Sequence, residues 1–132
     1  MKKIIALLTI FLFFACTNQD KGVALVNEVL DIHDEVMPKI GEVMSLRKKV
    51  LDKVEGSENA DELRDIAQSL ENAQKGMMTW MNDWSQNSTS FVNNETSEEE
   101  KMDFLKAEKE RVIKVKEDIN NSIAKAKEVL SN

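Results

Sequence analysis

His33 is the only histidine of the chain, and Met37 follows it by one helical turn. Further along, Met77, Met78 and Met81 are interleaved with Trp80 and Trp84. Imidazole and thioether together suit a soft ion such as Cu(I), and a neighbouring indole could shield it. A fold that returns on itself near Ser57 places Met78 and Met81 beside Met37 and Asp34, because antiparallel helices rise equally. The expected metal set is therefore His33, Met37, Met78 and Met81. The same residues also make an adaptable packing or partner-binding surface, since Met fills irregular gaps and sulfur–aromatic contacts are common. The wider candidate site, for a partner or a metal, is His33, Met37, Met77, Met78, Met81, Trp80 and Trp84.

Other chemistries fit less well. Asp34 points about a hundred degrees away from its neighbour His33 on a helix, so no base–orienter pair for a nucleophile arises. There is no Glu-x-x-His motif of the di-iron bundles, no Gly-rich phosphate loop and no Cys-x-x-Cys-His haem attachment. The expectation is a protein that is not an enzyme and holds no cofactor, with copper as the alternative.

The elements that position these residues are helical. The chain has 4 Gly, 1 Pro, no Tyr and 5% aromatic residues. From Val23, apolar residues recur at three- and four-residue steps through Val26, Val29, Leu30, Val36, Met37, Ile40, Val43, Met44, Val50, Leu51 and Val54, a long helical stripe. His33 shares its seam with Val26, Leu30, Met37, Ile40 and Met44. Pro38 deprives the Asp34 carbonyl of its helical donor, so a kink is expected there, with a break into two helices as the alternative.

Asn59 and Glu62 open a second helix, whose apolar face runs through Leu63, Ile66, Leu70, Ala73, Met77, Trp80 or Met81, and Trp84. Gly76 lies inside it, either to admit a close neighbour or simply tolerated. Residues 85–95, rich in Ser, Asn and Thr, read as a loop with Phe91 and Val92 as its docking point. Thr96 with Glu99, or Ser97 with Glu100, caps a third helix. Its stripe is Leu105, Val112, Val115, Ile119, Ile123, Ala126, Val129 and Leu130, and the Glu and Lys between Lys106 and Lys116 read as a solvated face. These elements predict an all-α fold, an antiparallel up-down-up three-helix bundle with helices over about 22–54, 60–84 and 97–130.

The N-terminus carries an address. Met1-Lys2-Lys3 precedes an apolar run from Ile4 to Ala15, too short to span a membrane at roughly 20 residues and suited to a cleaved secretory signal. Phe13-Phe14-Ala15-Cys16 resembles a bacterial lipobox, with leucine the commoner residue at the position of Phe13. The resemblance implies a signal peptide over 1–15, lipidation of Cys16 and a tether over 16–21 before the bundle at 22–132. Thr17, where an Asp would favour inner-membrane retention, implies the outer membrane, facing the periplasm.

Loss of Lys2 and Lys3 leaves 16 basic against 24 acidic residues, about −8 in place of −6. That balance disfavours nucleic acid, whose affinity depends on Lys and Arg at phosphates. The acyl anchor then supplies the membrane contact, and another envelope protein is the expected partner.

His33 to Pro38, its continuation from Ile40 to Arg47, and Met77 to Met81 resemble a group of small Bacteroidota lipoproteins that carry the label "viral A-type inclusion protein". The resemblance implies a lipid-anchored helical protein and no particular mechanism.

Overall fold

A computed structural model describes residues 18–92 and 96–131. The signal segment 1–15, Cys16 and the Phe91–Val92 docking point lie outside the residues and side chains so described. Helix α1 spans Asn18–Val36, α2 Ile40–Asp52, α3 Ala60–Val92 and α4 Glu98–Ser131. Among the described residues there is no strand, and no helix is long and apolar enough to cross a membrane.

The three-helix expectation holds, with α1 and α2 together forming the first rod. A single 3₁₀ turn, Met37–Lys39, interrupts that rod at Pro38. The seam passes through the turn without a shift. Val29, Val36, Val43 and Val50 are all fully buried and lie seven residues apart. Leu63, Leu70 and Met77 repeat the interval on α3, as do Leu105, Val112, Ile119 and Ala126 on α4. A strict seven-residue repeat on every rod is the pattern of coiled-coil-like packing.

Polar side-chain pairs between helices fix the register. Glu28 with Lys109, Glu35 with Lys116 (2.6 Å) and Lys39 with Asn120 (2.8 Å) all join positions 81 apart, so α1 lies parallel to α4. On the antiparallel rod, Arg47 meets Glu71 at 2.7 Å and Arg111 meets Asp83 at 2.6 Å. Helix α2 packs on both α3 and α4, whereas α1 packs chiefly on α4. Side-chain size accounts for the difference. Ala67 and Ala73 let α3 lie close to α2, whereas Trp80 and Trp84 hold its second half away from α1.

Several boundaries differ from the sequence expectation. Helix α1 begins at Asn18, within the stretch read as tether, and α3 continues through 85–92, read as loop. The polar residues there are served inside the helix: Asn87 donates to the Asp83 carbonyl (2.8 Å), Thr89 to the Ser85 carbonyl (3.2 Å) and Gln86 to the Asn82 side chain (3.1 Å). Of the two caps offered for α4, Ser97 and Glu100 form it, each backbone N–H bonded to the other's side chain at 3.0 and 3.3 Å. A Cβ at Gly76 would meet nothing within 4 Å, so that glycine admits no close neighbour.

The first-rod seam is narrower than expected. Leu30, Met44 and Leu51 are exposed, as is Val23. Each follows a buried or inward position by one residue, about a hundred degrees round the helix, which carries it to the edge of the bundle.

Candidate functional site

His33 enters the bundle from α1, near its junction with the 3₁₀ turn. Its side chain is 20% exposed, and its Nδ1 lies 2.9 Å from Asp34 Oδ1. An ionised carboxylate only accepts, so Nδ1 is the donor in this contact. The two side chains do meet, although helical phase turns Asp34 outward. The His33 ring lies 5.8 Å from the Trp80 ring, tilted by 33°. Trp80 stacks on Trp84 at 5.6 Å and 23°, and Trp84 on Phe104 at 6.0 Å and 19°. Four rings thus form a ladder from α1 through α3 to α4. It fills the wedge where α1 and α3 stand apart, and offset stacks of this kind add to the burial of the rings themselves.

Of the predicted site residues, Met77 and Trp80 are core, 0% and 2% exposed, so neither can touch a partner. Met37, Met81 and Trp84 are half-buried against the core. Counting ten residues back from Arg47 and ten onward from Glu71 brings Met37 level with Met81, three residues beyond Met78, which the hairpin register had set beside it. Met78 does not join them. It is 41% exposed and lines a shallow groove with Arg47, Glu71, Gln74 and Lys75. Among the described residues no three of His, Cys, Asp and Glu gather as a metal site, so an ion here would depend on the thioethers of Met37 and Met81.

Two polar positions escaped the sequence reading. Glu108, read as solvated, is 4% exposed. Its Oε1 accepts from Arg111 at 2.7 Å, while its Oε2 and the Trp80 Nε1 are buried without a protein partner. Asp83, then Glu108, push the Arg111 guanidinium further up, keeping it charged. Glu108 lies seven residues before Val115, so the heptad itself would have revealed it. Arg47 also occupies a seam position, and its pairing with Glu71 keeps its charge at the edge of the bundle. Lys75, together with Arg47, holds the Glu71 carboxyl below the usual carboxylate range.

At the opposite end, a cleft of about 890 Å³ lies between the α2–α3 turn and the end of α4. Its Lys53, Glu62, Asp65, Lys125 and Glu128 mix both signs without converging on a point.

The accessible apolar residues are more ordered. Val23, Leu30, Met44 and Leu51 are 58, 38, 54 and 39% exposed, and half-buried Met37 completes their seven-residue interval. The column runs about 42 Å along the first rod, at 1.5 Å per residue.

No family model, curated protein or solved structure matches this chain.

Proposed function

We propose that the protein is a lipid-anchored helical bundle facing the periplasm from the outer membrane, acting by docking a protein partner and not by catalysis. The observation that carries the docking reading is the column of exposed Val23, Leu30, Met44 and Leu51, with half-buried Met37 between them. Single exposed apolar residues are ordinary on any protein, but here four recur at multiples of one helical interval along a single rod. Methionine near its centre suits a surface that must adapt to its occupant. This stripe replaces the buried Met77 and Trp80 as the contact surface. The ladder of rings serves as the frame that holds the first rod in place.

The anchor rests on Cys16 and its lipobox-like setting. Cys16→Ser is expected to move the protein from the membrane to the soluble fraction, and unchanged fractionation overturns the anchor. For docking, Met44→Asp with Leu51→Asp is expected to abolish crosslinks to the partner while helicity is kept. Crosslinks that persist overturn the docking reading.

A second reading is favoured by one observation. The Asp34 carboxylate lies 2.9 Å from His33 Nδ1, the position from which outer carboxylates orient metal-binding histidines. In that reading His33, Met37 and Met81 hold Cu(I), and Met78 takes no part. Equal Cu(I) binding by the parent and by a Met37→Leu, Met81→Leu variant rules it out.

A further inference from the structure

Two polar atoms lie inside the bundle, at the level of the ring ladder, without a protein partner. One is Trp80 Nε1 and the other is Glu108 Oε2. Their residues are 2% and 4% exposed, so bulk solvent reaches neither atom. Protein interiors satisfy such groups, because an unpaired one has given up its hydration for nothing.

Two contacts set these atoms against each other. The Trp84 and Phe104 rings stack between α3 and α4 at 6.0 Å. The two helices are antiparallel, so one turn back along α3 and one turn on along α4 lead to Trp80 and Glu108 on the same two faces. Arg111 sets the same level from the flank. Its Nη1 meets Glu108 Oε1 at 2.7 Å, and its Nη2 meets Asp83 Oδ2, three residues past Trp80, at 2.6 Å. Arg111 thereby occupies one oxygen of Glu108, and the other is left on the inside with the indole.

The chemistry of the two atoms defines what fits between them. The indole N–H only donates, and a carboxylate oxygen only accepts. A cation would suit Oε2 but would face the proton of the N–H. An anion would suit the N–H but would face the carboxylate. A hydroxyl group does both, accepting from one and donating to the other. Because both residues are enclosed, that hydroxyl belongs to the smallest molecule that carries one, which is water.

We infer that Trp80 Nε1 and Glu108 Oε2 together bind one enclosed water, which accepts from the indole and donates to the carboxylate. The bridge ties α3 to α4 in the wedge, where stacked rings supply burial but little choice of register. A slide of α4 by one heptad would keep apolar residues on the seam. It would also set the indole N–H level with Lys101 or Val115, neither of which accepts. The hydrated pair therefore selects one alignment among those that the seven-residue repeat allows.

Nuclear magnetic resonance of the full chain in detergent micelles, labelled with nitrogen-15 at tryptophan, tests the site. The chain has 2 Trp, so two indole N–H signals appear, and Trp84→Phe assigns them. Magnetisation is expected to pass from water to the Trp80 N–H with opposite signs in the laboratory and rotating frames. Those signs mark a held water, whereas proton exchange gives equal ones. Glu108→Leu should abolish the transfer. Glu108→Gln keeps an accepting oxygen, so it should retain the transfer and move the Trp80 proton signal upfield. No transfer in the parent, as a direct Trp80–Glu108 bond would give, overturns the inference. So does transfer that persists in a Glu108→Leu chain shown to be folded by circular dichroism. Should that variant not fold, Glu108→Gln decides, and an unmoved Trp80 signal there overturns the site.

Discussion

His33 and Trp80 face each other across the bundle at 5.8 Å between ring centroids, joining α1 and α3, two helices whose backbones pack little against one another. Helix α1 therefore depends on α4 along one side and on this ring contact along the other. Trp80→Ala would empty a fully enclosed site in the wedge and should lower stability by about 3–5 kcal/mol. His33→Leu keeps the volume and should change stability by less than about 1.5 kcal/mol. Urea midpoints measure both. A loss of under about 1 kcal/mol for Trp80→Ala would show that the wedge is not held by its rings.

Two glycines should respond in opposite directions. Gly76 lies inside α3 with open space at its Cβ position, so Gly76→Ala is expected to stabilise by about 0.5–1 kcal/mol. Gly56 has φ +77° at the turn after α2, where an L side chain is strained, so Gly56→Ala should destabilise by about 1–2 kcal/mol. Matching signs for the two would contradict the backbone assignment of the turn.

Ser97 caps α4 reciprocally with Glu100. Ser97→Ala should cost about 1 kcal/mol. Thr96→Ala should cost less, because the box forms at Ser97 and not one residue earlier. Thermal melts of the pair decide which residue is the cap.

Acid should weaken the bundle through named carboxylates. The Lys116 ammonium holds Glu35 below its ordinary 4.5, Lys75 and Arg47 do the same for Glu71, and the Ser97 hydroxyl does so for Glu100. A lowered folded value means these groups add stability that is complete above about pH 4.5 and is lost as the pH falls through the lowered values. All three are open to solvent, so the effect is modest. Glu35→Gln with Glu71→Gln should be less stable than the parent near about pH 6 and converge with it near about pH 3. A gap that is constant across that range would mean the pairs contribute nothing through charge.

Much of the fold was legible because its signals are periodic. The valines of the first rod and the Leu and Met of α3 fall on their seams by spacing alone. Pro38 marked the place of the interruption by its missing donor, although a kink and a break were both open, and a single 3₁₀ turn is what forms. The extension of α3 to Val92 was hidden, since Ser, Asn and Thr favour loops until their side chains find helical partners, and those partners depend on the conformation itself. Glu108 was hidden for a related reason. An acid amid alternating Glu and Lys looks solvated, and the seven-residue step to Val115 that places it inside is easily passed over; Arg111, three residues on in the same helix, pairs with it. The site was legible in part. Spacing brought His33 to the level of Trp80, but it set Met37 beside Met78, where the structure sets it level with Met81. It could not show that Met78 faces out, because a one-residue step in phase decides that and the width of the seam was unknown.

The central claim is that the exposed column of the first rod is the working surface of a membrane-anchored protein. The most direct measurement places a photoreactive residue at Met44, and separately at the exposed Glu117 on α4, and irradiates the chain in its native envelope. The account predicts discrete crosslinked species from position 44 and none from position 117. Equal capture at both positions, or capture from 117 alone, would contradict it.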